Sequence, residues 1–176
     1  KDLGEKFEIA LEPQLRTSDS ELEKRIIETS FGYKPLKYLS LEVIHRHTKE
    51  TTKNGWANSN RMAFDITGKV DIDRWEPSAR LRYTNLKDFN EDGGANFLRY
   101  KLSLGYDIKG FKLNPEISVE AFQETEGNTL RKMRYEVGTS YKINKMHSVS
   151  LAYKRDDFET KQKYVNIVDM SYKLKL

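Results

Sequence analysis

The chain has 176 residues, with 31 Lys and Arg against 27 Asp and Glu, three His and no Cys. That length fits one domain, read as residues 1–176. The lack of Cys excludes disulfide, thiolate and Cys-metal chemistry. A net charge of only +4, with acids and bases interleaved, gives nucleic-acid binding little support.

Mean hydropathy is -0.78, and no apolar run nears the ~18–20 residues of a spanning helix. Strands that cross a membrane need only every second residue apolar. Period-two alternation runs the length of the chain and predicts about ten strands. The first is Phe7 to Arg16, with Phe7, Ile9, Leu11, Pro13 and Leu15 on one face. The second runs from about Lys24 to Tyr33 and the third from Tyr38 to Thr48. The fourth, Arg61 to Ile72, opposes Met62, Phe64, Ile66 and Val70 to Arg61, Asp65, Thr67 and Lys69. The fifth is Trp75 to Thr84, the sixth Phe97 to Ile108, the seventh Phe111 to Phe122. The eighth is Leu130 to Ile143 and the ninth His147 to Arg155. The tenth runs from Tyr164 to Leu176 with Val168, Met170, Tyr172, Leu174 and Leu176 on one face, and is expected to close a barrel against the first strand. Val165 and Ile167 fall on its polar parity and Asn166 on its apolar one, so a bulge or a neighbour's contact is expected there.

Connections alternate in length. Lys34-Pro35, Asp71–Asp73, Lys109-Gly110 and Asn144-Lys145 are tight; Thr17–Glu23, Lys49–Asn60, Lys87–Asn96, Glu124–Thr129 and Asp156–Lys163 are longer and polar. Outer-membrane barrels have short periplasmic turns and longer external loops, so an even strand count predicts both termini on the periplasmic side.

A soluble, lipocalin-like ligand-binding barrel would show the same alternation with its apolar face inside. Three features favour the membrane form. The polar face carries many small residues near the tight turns, among them Ser30, Gly32, Ser103, Gly105, Gly138 and Ser150, which suit a crowded lumen. Aromatics gather at both ends of the apolar face: Tyr33, Trp75, Tyr106, Tyr141 and Tyr172 near the turns; Tyr83, Tyr100, Tyr135, Tyr153 and Tyr164 near the loops. Opposite charges share the polar face: Glu12, Glu28, Glu42, Asp65, Glu116, Glu120, Glu136 and Asp169 with Arg46, Arg61, Arg80, Arg82, Arg99, Lys101 and Arg134. The expected architecture is an all-β transmembrane antiparallel up-and-down barrel.

The segment Asn114-Pro-Glu-Ile-Ser-Val-Glu-Ala-Phe122, the Gly/Ser-Tyr-Lys strand ends, and Arg80-Leu-Arg-Tyr83 with Arg99-Tyr100 resemble a family of short outer-membrane barrels common in Bacteroidota. That family is known only as a domain of unknown function (DUF2490-like). The resemblance implies a Gram-negative outer membrane and an exported chain whose signal peptide is removed, and it brings no catalytic residues.

Chemistry is sparse. His45, His47 and His147 fall on the apolar parity, away from any acid and nucleophile arranged for catalysis. Asp88, Asn90 and Asp92 have the D-x-N-x-D-G spacing of a calcium loop, but its twelfth position is Arg99 rather than Glu. Lys49, Lys53, Lys87, Arg155, Lys161 and Lys163 lie in or near the outer loops, where lipopolysaccharide phosphates would be met. The expectation is a small non-enzymatic outer-membrane barrel with a filled lumen and no cofactor, serving as a structural or accessory subunit of a larger outer-membrane complex. Its expected partners are membrane lipid, lipopolysaccharide and other outer-membrane or periplasmic proteins. A narrow pore for ions or small solutes is the alternative.

Overall fold

The computed structural model describes residues 6–18, 21–52, 55–85, 96–159 and 163–175. Ten strands form it: β1 (Phe7–Ser18), β2 (Glu21–Leu36), β3 (Leu39–Thr52), β4 (Gly55–Lys69), β5 (Trp75–Asn85), β6 (Phe97–Tyr106), β7 (Leu113–Glu124), β8 (Leu130–Lys142), β9 (His147–Phe158) and β10 (Lys163–Lys175). Each pairs antiparallel with its sequence neighbour, and β1 pairs with β10 to close the barrel. The closing register runs from Ala10↔Lys175 to Thr17↔Val168.

Closure leaves no free sheet edge along the paired length, which satisfies the backbone where water is absent. The alternation then decides what faces where. Ile9, Phe31, Phe64, Leu102, Ile117, Leu151 and Met170 all point outward and are exposed. The interior buries Asp65, Arg82, Arg99, Glu120, Arg134, Asp156 and Asp169, with only Ala10, Ile26, Ile44, Ala63, Phe122 and Ile167 as buried apolar residues among the described ones. A soluble barrel has the opposite arrangement, since exposing so wide an apolar surface to water is unfavourable.

Several strands run further loopward than alternation predicts. The expected loop at Lys49–Asn60 is instead a continuous ladder, with pairs from Lys49↔Asn58 to Thr52↔Gly55. Beyond the apolar band a ladder no longer needs outward hydrophobics, so polar β-formers such as Thr48, Thr51 and Thr52 continue it. Similarly β9 runs on to Phe158 and β1 to Ser18. At the other end, β6 stops at Tyr106 and β7 starts at Leu113, so Ile108 and Phe111 lie in the turn rather than in strands. Gly110 has φ 82 there, a conformation that favours glycine. Asp73 turns the β4–β5 connection at φ 55, and Ile72 bridges Trp75.

No bulge occurs around Asn166. The β10–β9 ladder is unbroken from Lys163↔Phe158 to Leu174↔His147. Ile167 is instead accommodated inside the barrel at 8% exposure, among the few buried apolar residues. Register shifts fall at Arg16/Thr17, Tyr33/Leu36 and Phe122/Gln123.

Candidate functional site in the lumen

Strand register places one charged residue from every strand in a belt around the lumen. In order from β1 to β10 these are Arg16, Glu28, Arg46, Asp65, Arg82, Arg99, Glu120, Arg134, Asp156 and Asp169. Six of the ten neighbouring pairs are directly cross-strand: Arg16↔Asp169, Glu28↔Arg46, Asp65↔Arg82, Arg82↔Arg99, Glu120↔Arg134 and Arg134↔Asp156. Five guanidinium groups therefore meet five carboxylates, and Arg80, Lys132 and Lys154 add further cations to Glu120, Asp156 and Asp169.

The pairing is mostly bidentate. Arg82 donates from Nε and Nη2 to the two Asp65 oxygens at 2.6 Å each. Arg134 donates to both oxygens of Asp156 at 2.6 and 2.7 Å. Arg99 donates to both oxygens of Glu120 at 3.1 and 2.8 Å, and Arg80 adds a third bond to Glu120 at 2.7 Å. Arg46 Nε donates to Glu28 at 2.6 Å. Asp169 is shared by Arg16 and Lys154, each 2.7 Å away. Planar guanidinium forks match carboxylates in this way, and burial makes each pair costly to break.

Phe122 sits within the belt under three cations, with Arg99, Lys132 and Arg134 at 4.3, 4.4 and 5.1 Å from its ring centroid. Loopward of the belt, Thr48, Ala63, Thr84 and Glu124 are also buried. Turnward the packing loosens. Glu12, Glu42, Glu136 and Lys101 line, with the belt, a cavity of about 250 Å³. A second, of about 310 Å³, is lined by Lys69, Glu76, Gly105, Asn114, Glu116 and Ser140 among others. The lumen is thus densely filled in its loop half and emptier toward the tight turns.

The charged residues singled out from sequence are placed as follows. Glu28, Arg46, Asp65, Arg82, Arg99, Glu120, Arg134 and Asp169 join the belt, and Arg80 bonds to it. Glu12 accepts a bond from Gln14 Nε2 at 2.7 Å. Lys101 bridges Glu116 and Glu136 at 3.3 and 3.8 Å. Glu42 lines the cavity, and Arg61 stands opposite Arg46 in the ladder. Sequence reasoning missed Arg16 and Asp156. Asp156 was assigned to a loop, although its parity continues that of Lys154; Arg16 closes the belt only because β10 returns beside β1.

The ten aromatics share the outward parity. Tyr33 stacks on Phe7 with centroids 5.0 Å apart, Trp75 tilts against Tyr106 at 4.8 Å, and Tyr172 shares a hydrogen bond with His147. Tyr164 lies under Arg155 at 4.4 Å, while Tyr83, Tyr100, Tyr135, Tyr141 and Tyr153 are exposed on the outer wall. His45 and His47 also face outward, and His47 contacts Asn60 at 3.1 Å. The calcium-like Asp88, Asn90 and Asp92, and the loop lysines Lys53, Lys87 and Lys161, lie outside the described residues. Among the described residues no group of three acidic, His or Cys side chains is placed to hold a metal ion.

A closed ten-strand antiparallel barrel with an apolar outer wall and a polar interior has the outer-membrane β-barrel fold. Comparison with known proteins agrees. Over residues 1–165 the chain matches the family described as "Protein of unknown function (DUF2490)", and it belongs to that family. It is similar in fold to the NanC porin (TM-score 0.53, 10% identity, covering 96% of this chain and 100% of that one). It is likewise similar to the KdgM porin (TM-score 0.56, 11% identity, 94% and 98% covered). The beta domain of the Bordetella autotransporter BrkA is a further relative in fold (TM-score 0.52, 11% identity, 96% and 98% covered). No curated protein matches the sequence.

Proposed function

We propose that this chain is a plugged barrel of a Gram-negative outer membrane, with both termini periplasmic, acting without catalysis as a structural or accessory subunit of a larger assembly. The observation that carries the reading is the ten-residue charged belt. Its side chains pair with one another around the lumen, so a passing solute would meet buried ion pairs that cost several kcal/mol each to break. A barrel so filled offers the membrane a stable wall rather than a path. The family match and the porin-like fold support the membrane setting.

Mild detergent extraction followed by affinity purification of the full chain tests the accessory role. Co-elution of a stoichiometric outer-membrane or periplasmic protein is expected, and a barrel recovered alone under conditions that preserve other envelope complexes counts against it.

One observation favours the second reading, a narrow ion or solute path. The two turnward cavities, about 250 and 310 Å³, already open much of the lumen, leaving the belt and the packing above it as the obstruction. Stepwise conductance of the native chain in planar bilayers would support that reading over the plugged one.

A further inference from the structure

The outer wall is not uniform around its circumference. On β2–β4, three side chains near the loop end make a cluster unlike the apolar wall below. Arg25 and Lys49 are direct cross-strand neighbours. Both have the outward parity, and both stand over the ring of Trp56 on β4, at 5.1 and 5.4 Å from its centroid. Among the nearby acids whose side chains are described, Glu28 and Glu50 have the opposite parity and are engaged elsewhere, Glu28 with Arg46 and Glu50 with Lys24. Asn58, Asn60 and His47 extend the polar outward patch, with Asn58 opposite Lys49 and Asn60 opposite His47. Two like charges held side by side on an aromatic face, with no carboxylate of their own among the described outward side chains, favour an anion.

Height along the strand says which kind. Arg25 is eight residues from Tyr33, roughly 26 Å along β2 at ~3.3 Å per residue. Tyr33 belongs to the aromatic stack at the turn end, so Arg25 lies across the apolar band, at the level of the opposite headgroups. Toward the turn-end level the wall is grooved. Phe31, Tyr33, Leu41, Val43, Phe64 and Ile66 line an outward apolar furrow of about 260 Å³ on the same three strands.

The geometry points to a specific lipid site on this face, in which Arg25 and Lys49 bind a headgroup phosphate of a phosphorylated glycolipid in the loop-side leaflet and an acyl chain runs down the outer wall of the same strands toward the furrow. Trp56 fixes the two cations in place and bounds the headgroup. The furrow and the cation pair lie on the same strands, with Phe31, the furrow's near edge, six residues from Arg25, roughly 20 Å, so a fatty acyl chain of about that length reaches down the wall to it. The site rests on the membrane reading above, and it does not depend on whether the lumen conducts or whether a partner docks.

The test uses the full chain with Trp75→Phe, which leaves Trp56 as the only tryptophan. The protein is inserted into phosphatidylcholine vesicles doped with diphosphoryl lipid A or with its dephosphorylated form. Protease resistance and a heat-modifiable gel shift report insertion, and Trp56 emission reports the site. The expected result is insertion into both, with a saturable Trp56 change only when the phosphates are present, weakened about tenfold in Arg25→Gln/Lys49→Gln. Both side chains are exposed, so that variant is expected to insert normally. Insertion without phosphate discrimination, or an unchanged response in the double variant, overturns the lipid site and leaves the membrane reading intact. Failure to insert into either vesicle overturns the membrane reading and the site with it.

Discussion

Arg82 and Asp65 face each other across the β4–β5 ladder through two parallel hydrogen bonds of 2.6 Å, with side-chain exposures of 8% and 2%. The bond pair is one of the most deeply buried links in a belt to which each of the ten strands contributes one residue. Removing one partner strands the other charge inside the barrel. Asp65→Ala is expected to cost about 3–5 kcal/mol, because Arg82 remains buried and Arg80 loses part of its acidic surroundings. Asp65→Ala with Arg82→Ala is expected to cost less than the two single changes added together. Urea unfolding of the four proteins in vesicles measures this as a double-mutant cycle. Additive losses would mean that the pair is not coupled.

The outer wall makes the opposite demand. Leu102 lies midway along β6 and is 61% exposed, yet its surroundings on the outward face are apolar. Leu102→Arg is expected to destabilise the vesicle-inserted barrel by about 2–4 kcal/mol. An equally exposed Leu on a water-soluble barrel would tolerate the change within about 0.5 kcal/mol. Unfolding free energies in vesicles separate these outcomes.

Backbone crowding gives a third handle. A Cβ added at Gly138 would lie 3.0 Å from both the Ala152 Cβ and the Leu151 carbonyl oxygen of the paired strand. Gly138→Ala is expected to cost about 1–3 kcal/mol. Ala152→Gly in the same chain removes one of the two clashes, so it should recover part of the loss and not all of it. Thermal unfolding monitored by the gel shift of the folded barrel reads both. Full rescue would place the whole strain on Ala152.

The strand count, the antiparallel order and the closing pair of β1 with β10 were legible in the sequence, because period two is a strong signal when an apolar wall must face lipid without interruption. Strand ends were less legible. β3 and β4 continue loopward past Thr48 and Arg61 on largely polar residues, where alternation carries no hydrophobic signal. Eight of the ten belt residues were among the charges read from the sequence, since parity alone assigns them to the inner face. Their arrangement as a ring was not legible, because it depends on stagger between strands. Arg16 meets Asp169 only through closure of the barrel. Phe122, Ile26, Ile44 and Ile167 show the limit of hydrophobicity as a guide: strand parity turns these apolar residues inward among the charged groups.

The account turns on the belt closing the lumen, and planar-bilayer recording tests that most directly. The native chain is expected to insert without conductance steps. Replacing Arg99, Glu120 and Phe122 together with Ser removes adjoining parts of the plug, while the remaining belt pairs and the outer wall are kept; this variant is expected to conduct in discrete steps. Stepwise conductance of the native chain at the level of the opened variant would contradict the account.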